Sequence, residues 1–446
     1  MSKQSTKAVR SRMMKLGVLM HPAGQHLAAW RHPDGHPDGG FGLGYLQNLA
    51  RIAEAAKFDF LFTADMMSLR DAPNEVIARC AQLTFSAEPM TMMASLSAVT
   101  THIGFIVTQS TTYSYPYTVA RQMASLDVLS GGRAAWNVVT STQLNEAGNF
   151  GLEHTLDHSL RYARAQEFVE AVKGLWASRD NDLVLADKNS GILFDPARFR
   201  PYRHNGQFLT VDGVLNVPPS PQGHPVLVQA GSSGPGRDLA ASIGEIVFVQ
   251  SPNLEGGQEY YRDIKRRARE KGRDPNEVLV MPGFTPVIGK TRQEAEGLLT
   301  ELDALIDPEL SIPILSHWMH VDLSGYEIDG PLPDITDVSN KSHSSREVVR
   351  EFVGDRSLTI REVAAWVASS MGHNRVIGTP EEIADAMQHW FENEACDGFL
   401  ISPLIYPSGL QQFADEVIPI LQERGLFRTE YEGATLRANL GLPFPD

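Results

Sequence analysis

Val226-Leu-Val-Gln-Ala-Gly-Ser-Ser-Gly-Pro-Gly-Arg237 is the stretch from which the fold can be read. An apolar run, Pro225–Gly231, reads as a strand and ends in a turn of glycine and serine. A helical pattern over Gly236–Ile243 follows, and a second apolar run, Glu245–Ser251, comes directly after it. Strand, loop, helix and strand in that order are the repeating unit of a parallel α/β sheet.

The same alternation continues in both directions. Lys15–Met20, Phe58–Asp65, Ile103–Ser110, Arg133–Ser141, Val278–Gly289 and Asp397–Pro403 also read as strands. Most carry Val, Ile, Leu and Phe on both faces, as parallel strands covered on both sides do. Between them the apolar spacing becomes helical. Gly44–Lys57 places Leu46, Leu49, Ile52, Ala53 and Ala56 on one stripe. Pro116–Leu129, His158–Trp176, Glu255–Lys271, Thr291–Leu305, Thr379–Phe391 and Leu410–Arg424 follow the same rule. Gly131-Gly132, Gly272 and Gly425 stand where helix C-caps belong. Thr379-Pro-Glu-Glu382 combines an N-cap, a first-turn proline and first-turn acids.

Eight strands alternating with eight helices predict an α/β fold, a (β/α)8 TIM barrel. A doubly wound sheet is the alternative, because a count does not show closure. A single domain over residues 1–446 is expected, with three insertions at about 66–88, 178–224 and 307–374. They are rich in Pro, Gly, Asp and Ser. The last is a candidate lid, with a structural belt as the other reading.

A net charge of −15 repels phosphate backbones, so no nucleic-acid partner is expected. Two cysteines, Cys80 and Cys396, read as free thiols in a reducing compartment. The basic, polar N-terminus lacks the apolar stretch of a secretory signal. No apolar run approaches the roughly 18–20 residues that cross a bilayer. A cytoplasmic protein without a membrane partner is therefore expected.

Function in a TIM barrel gathers at the C-terminal ends of the strands. Here those ends include Met20-His21, Asp65, Thr108 to Thr112, Asn137 to Thr142, Gln229 to Gly236 and Phe248 to Pro252. They are polar and rich in hydroxyls, which suits a ligand with a phosphate and a polyol chain. The glycines of Gly231–Gly236 let a ligand approach the backbone, and free amides at a helix start face an anion. Ser232 and Ser233 add hydroxyls, and Arg237 can add charge. The plainer reading is an ordinary flexible loop.

The stretch is not a P-loop, and no dinucleotide fingerprint follows a strand, so no NAD(P)H site is expected. His158 and Tyr162 share one side of a helix, with Arg161 beside them. Fourteen histidines raise the question of a metal, but no HExxH occurs and none is expected. The absence of GxSxG disfavours hydrolase chemistry.

Several longer stretches resemble one family. They are Trp30-Arg-His-Pro33, Phe58-Asp-Phe-Leu-Phe-Thr-Ala-Asp65, Ser110-Thr-Thr-Tyr113 and Ser125-Leu-Asp-Val-Leu-Ser-Gly-Gly-Arg-Ala-Ala-Trp-Asn-Val-Val-Thr-Ser141. Gln229-Ala-Gly-Ser-Ser-Gly234, Asp322-Leu-Ser-Gly325, Gly378-Thr-Pro-Glu381 and the tail from Arg424 to Gly433 extend the match. From about residue 15 to the C-terminus the chain resembles the nitrilotriacetate and dibenzothiophene-sulfone monooxygenase branch of the bacterial luciferase-like flavin monooxygenases. The resemblance implies a TIM barrel that takes reduced FMN from a separate NAD(P)H:flavin reductase and uses O2 to oxygenate a small organic substrate. Aminopolycarboxylates, sulfones or sulfides, and alkanes are the classes it leaves open.

Carried over residue by residue, the resemblance implies FMN contacts at Asp65, Thr108, His158, Tyr162 and Ser233, with Ser141 and Ser232 near the phosphate. Asn137 lies midway along its strand, and either orientation is open. Phe62, Phe248 and His26 correspond to pocket positions. One of His317 and His320 is expected above the flavin, His320 being favoured by its closeness to Asp322-Leu-Ser; with His26 they are the candidate catalytic histidines. A homo-oligomer, dimer or tetramer, is expected. The rival readings are a deazaflavin-dependent reductase, a non-catalytic flavin-binding protein, and a phosphate-binding barrel isomerase or lyase.

Overall fold

The computed structural model describes residues 12–36, 38, 40–69, 74–81, 86–141, 144–154, 157–306, 308–319, 321–333 and 343–445. The strands are β1 (Lys15–Leu19), β2 (Phe60–Thr63), β3 (Gly104–Ser110), β4 (Ala134–Val139), β5 (Val184–Asp187), β6 (Ile192–Phe194), β7 (Tyr202–Asn205), β8 (Thr210–Gly213), β9 (Val226–Gln229), β10 (Ile246–Val249), β11 (Leu279–Ile288), β12 (Asn374–Gly378) and β13 (Gly398–Ile401). Eight of them pair in parallel and close on themselves in the order β1-β2-β3-β4-β9-β10-β11-β13-β1. The closed ring decides for the barrel over the doubly wound sheet. All eight strand segments read from the sequence are in it.

Side chains alternate between the two faces of each strand. Leu19, Phe60, Phe62, Ile106, Ala135, Val228, Ile246, Met281 and Leu400 point inward and form one buried cluster. The outward residues pack under the helices in a larger one. Gly104 opens β3 with no side chain because Leu436 fills that space; a Cβ there would lie 2.6 Å from it. The C-terminal helix Leu436–Leu440 thus plugs the N-terminal end of the ring, which leaves the opposite end for function.

The expected caps are present. Gly131, Gly132, Gly272 and Gly425 have positive φ, and Thr379 forms a full capping box with Glu382. Three features go beyond the sequence reading. A helix, Pro89–Ser97, supplies the crossover between β2 and β3. β11 runs on past the ring and pairs with β12, Phe284 to Asn374 through Ile288 to Gly378. The helical stretch from Ser408 to Glu423 is interrupted by a π turn at Phe413–Val417, where Pro419 has no N–H to continue the ladder.

The insertions are structured rather than loop-like. Residues 178–224 carry two antiparallel hairpins, β5–β6 and β7–β8. Residues 307–374 contribute helices Pro308–Met319, His343–Val353 and Ile360–Ser370. These three share their own core, with Leu315, Trp318, Val349, Val363 and Val367 buried in it. That core is pinned to the functional side of the ring. Leu27 N–H donates to Ala368 O at 3.0 Å, Gln25 Nε2 to Ser370 O at 2.8 Å, and Gln250 Nε2 to Met371 O at 2.8 Å.

Candidate functional site

The loop after β9 is a tight cradle. Ser233 is the N-cap of helix Gly234–Ile243, its Oγ accepting the Gly236 N–H at 3.2 Å. A Cβ on Gly236 would stand 3.1 Å from both Ser233 Oγ and Tyr162 Oη. A Cβ on Gly231 would reach the Gly236 backbone at 2.7 Å. Both positions therefore need glycine for the loop to close this far. Tyr162, one turn into helix His158–Trp176, brings its hydroxyl to 3.5 Å from Ser233 Oγ.

Other segments complete the cradle's rim. Ser141, just past β4, adopts a left-handed backbone with φ of 46°. Its Oγ donates to Ser110 Oγ at 2.8 Å, and its carbonyl accepts Arg161 Nη1 at 2.9 Å. Arg161 Nε is buried without a partner. Arg237, expected to add charge to the loop, is held behind it instead. Its Nε donates to Ser232 O at 3.0 Å and its Nη1 to Asp263 at 3.0 Å, and its guanidinium lies over Tyr260.

Inside the ring the orientation of Asn137 is settled. It shares the inward face with Ala135, and its Nδ2 donates to Thr108 Oγ1 at 2.9 Å. Thr108 in turn donates to Thr63 O at 2.7 Å. Asn137 Oδ1 is buried and unpartnered. Phe62 and Phe248 face each other across the interior, ring centroids 6.1 Å apart. A mostly apolar cleft of about 340 Å³ opens beside β1 and β2, lined by Met20, His21, Pro22, Phe41, Thr63 and Met92 among others.

Asp65, two residues past β2, carries a carboxyl pushed up to about 6. Burial is the main cause, and Glu88 and Glu146 add like charge.

The histidines separate. His26 is buried with both ring nitrogens engaged: Nδ1 accepts the Ala28 N–H at 3.1 Å and Nε2 lies 3.1 Å from Asp303. Its ring fastens the β1 loop to helix Arg292–Ala304 and has no nitrogen left for a ligand. His317 is half-buried on helix Pro308–Met319. His320 lies outside the described residues. His158 opens its helix, and its side chain is likewise outside the description.

The structure adds His373, which the sequence reading did not single out. It is buried at the mouth, 5.7 Å from Phe248 between ring centroids. The signal that can find it is Gly283, a side-chain-free inward position on β11 that something must fill. Among the described residues no group of three or more metal-ligating side chains comes together. No described helix is long and apolar enough to cross a membrane.

Comparison with known proteins points one way. The Luciferase-like monooxygenase family profile matches residues 24–396. The chain is 46% identical to N-acetyl-S-(2-succino)cysteine monooxygenase of Bacillus subtilis (strain 168), over 98% of both chains. It is 40% identical to nitrilotriacetate monooxygenase component A of Aminobacter aminovorans, again over 98% of both. The crystal structure of DmoA from Hyphomicrobium sulfonivorans superposes with a TM-score of 0.88 at 30% identity, covering 96% of this chain and 92% of that one.

Proposed function

Given that the chain belongs to the luciferase-like monooxygenase family, we propose that it is the oxygenating component of a two-component system that uses reduced FMN and O2. The observation that carries the cofactor is the cradle of Ser233, Tyr162 and Gly236, with unpartnered Arg161 Nε and Asn137 Oδ1 nearby. Hydroxyl and amide donors at a helix start suit a phosphate. Buried polar atoms without partners call for a polar ligand. The site therefore fits FMN.

Ser232, Ser233, Tyr162, Ser141 and His158 hold the phosphate end, and Asp65, Thr108 and Asn137 meet the polyol and ring. When bound, reduced FMN supplies the two electrons that let one atom of O2 enter the substrate while the other leaves as water. The protein's share is orientation and dryness. Met20, Phe62 and Phe248 keep water from the reacting end. The 307–374 insertion is the lid of this reading, and His317 or His320 is the histidine that would act on the flavin side of it.

Electrons come from a separate NAD(P)H:flavin reductase, in keeping with the missing nucleotide fingerprint. The substrate is a small organic molecule of the aminopolycarboxylate, sulfide or sulfone, or alkane class, with S-substituted cysteines the first to test. The protein works in the cytoplasm as a dimer or tetramer. Hairpin β5–β6 supports the assembly, because it exposes Val184, Leu185, Ile192, Leu193 and Phe194 together.

The test is oxygen uptake with FMN, NADH and an added flavin reductase across those substrate classes. Product and oxygen consumption should require the reductase. Rapid NADH oxidation by the pure protein alone defeats the two-component reading.

A further inference from the structure

Gly283 is the third inward position of β11, after Leu279 and Met281. It leaves a gap in the uppermost layer of the ring, and the imidazole of His373 fills it. A Cβ on Gly283 would lie 2.6 Å from the His373 ring. Met371 and Gly372, with φ of 48° and 79°, turn the chain from helix Ile360–Ser370 to deliver the ring there. The imidazole meets Phe248 edge-on at 72°, and Phe248 in turn faces Phe62. Phe62, Phe248 and His373 together roof the barrel core beneath the mouth.

His373 is 3% exposed, and its Nδ1 has no hydrogen-bond partner. His26, the other buried histidine among the described residues, is satisfied by the chain itself and uses both nitrogens. A histidine kept for packing alone meets its hydrogen bonds in the same way. His373 instead leaves Nδ1 buried and unpartnered on a ring that packs against Phe248.

We propose that His373 is a ligand-contacting residue whose Nδ1 hydrogen-bonds the flavin ring seated over Phe62 and Phe248. The proposal rests on the flavin reading above. Burial pushes the imidazole down to about 3, so it stays neutral. It therefore holds the ring in place and does not shuttle protons, a different part from the one expected of the lid histidines.

The test reads flavin binding without turnover, by quenching of FMN fluorescence and by the absorption spectrum of the bound flavin. Wild-type protein that binds no FMN refutes the flavin reading itself, before any variant is made. H373F keeps the packing and removes both nitrogens; it should bind FMN about tenfold more weakly, with a shifted spectrum. H373N puts an amide where Nδ1 stands and should restore most of the affinity. H373Q puts its amide where Nε2 stands and should not. Wild-type affinity and spectrum in H373F overturn the proposal. If H373F does not fold, H373N and H373Q decide it: equal binding by the two overturns it, and selective rescue by H373N upholds it.

Discussion

Tyr162 Oη stands 3.5 Å from Ser233 Oγ, so the helix after β4 and the helix after β9 meet hydroxyl to hydroxyl at the mouth of the barrel. Hydrogen bonds to a charged group are worth about 1.5–3 kcal/mol. Tyr162→Phe and Ser233→Ala should therefore each weaken FMN binding roughly tenfold or more. Riboflavin, which lacks the phosphate, should bind both variants as it binds the wild type. Ser233→Ala also removes an N-cap worth about 1 kcal/mol, so Tyr162→Phe is the cleaner variant. Titration calorimetry with both flavins checks this. Unchanged FMN affinity in both variants, or equal losses with riboflavin, would show that the phosphate lies elsewhere.

The barrel strands were legible because burial on both faces writes continuous apolar runs, as in Val226-Leu-Val and Phe60-Leu-Phe. Closure was not, since β10 pairs with β11 through geometry that no local pattern records. The insertions misled for another reason. Helix His343–Val353 buries its stripe against Trp318 and Val363 of its own unit, and the Asp, Ser and Gly around it in the sequence hid that helices build the insertion. At the site, the Ser232-Ser233 loop announced itself through its glycines. His373 did not, because its role follows from an empty inward position on a strand ninety residues earlier.

Asp65 gives a pH signature. With its carboxyl near 6, the flavin-free protein holds a proton there below that pH. If the ionised carboxylate accepts hydrogen bonds from the flavin, affinity should fall as pH drops below about 6, by up to roughly tenfold per unit. Riboflavin is the ligand to use, because a phosphate ester titrates near 6 itself. Asp65→Asn should flatten the profile. The raised value also means that Asp65 contributes stability at low pH that is lost as pH rises from about 4 through 6. Asp65→Asn should thus be the more stable protein at pH 7, by on the order of 1–2 kcal/mol after allowance for its partial exposure. An unchanged pH slope in the variant counts against the assignment.

Buried neutral histidines predict acid sensitivity. Burial holds His224 down to about 4, and it lowers His26 as well. A histidine whose native value lies below its unfolded one gives full stability above about 6.5, lost as pH falls toward the native value. His224 stacks on Trp176 at 5.3 Å, so His224→Phe preserves the contact. Urea unfolding at pH 7, 6 and 5 should show a shallower loss in the variant, by up to about 1.4 kcal/mol per pH unit. Parallel curves for the two proteins would place the proton uptake elsewhere.

The exposed hairpin predicts how copies associate. Leu185 is 52% exposed and Leu193 56%, on strands that bury neither face within the chain. Leu185→Asp with Leu193→Asp should lower the mass measured by light scattering to that of a single chain and leave FMN affinity per chain intact. A wild-type protein that already runs as a monomer, or a variant that still assembles, removes the hairpin from the interface.

His317 and His320 remain the candidates for acting on oxygen. His317 sits on helix Pro308–Met319, within the unit that hydrogen bonds at Leu27 and Gln250 fasten to the mouth. His320 follows three positions later in the sequence. His26 is spent on Asp303 and Ala28, and His373 is too deeply neutral to carry a proton. His317 and His320 are therefore the histidines to test first as proton donors, with His21 next. Proton transfer by a placed side chain contributes about 10²–10⁴-fold. His317→Ala and His320→Ala are to be compared for FMN binding, product formed and hydrogen peroxide released. One variant should keep its flavin affinity yet divert most of the oxygen to peroxide, while the other behaves as wild type. If both stay fully coupled and active, neither histidine acts on oxygen and the search moves to His21 at the end of β1.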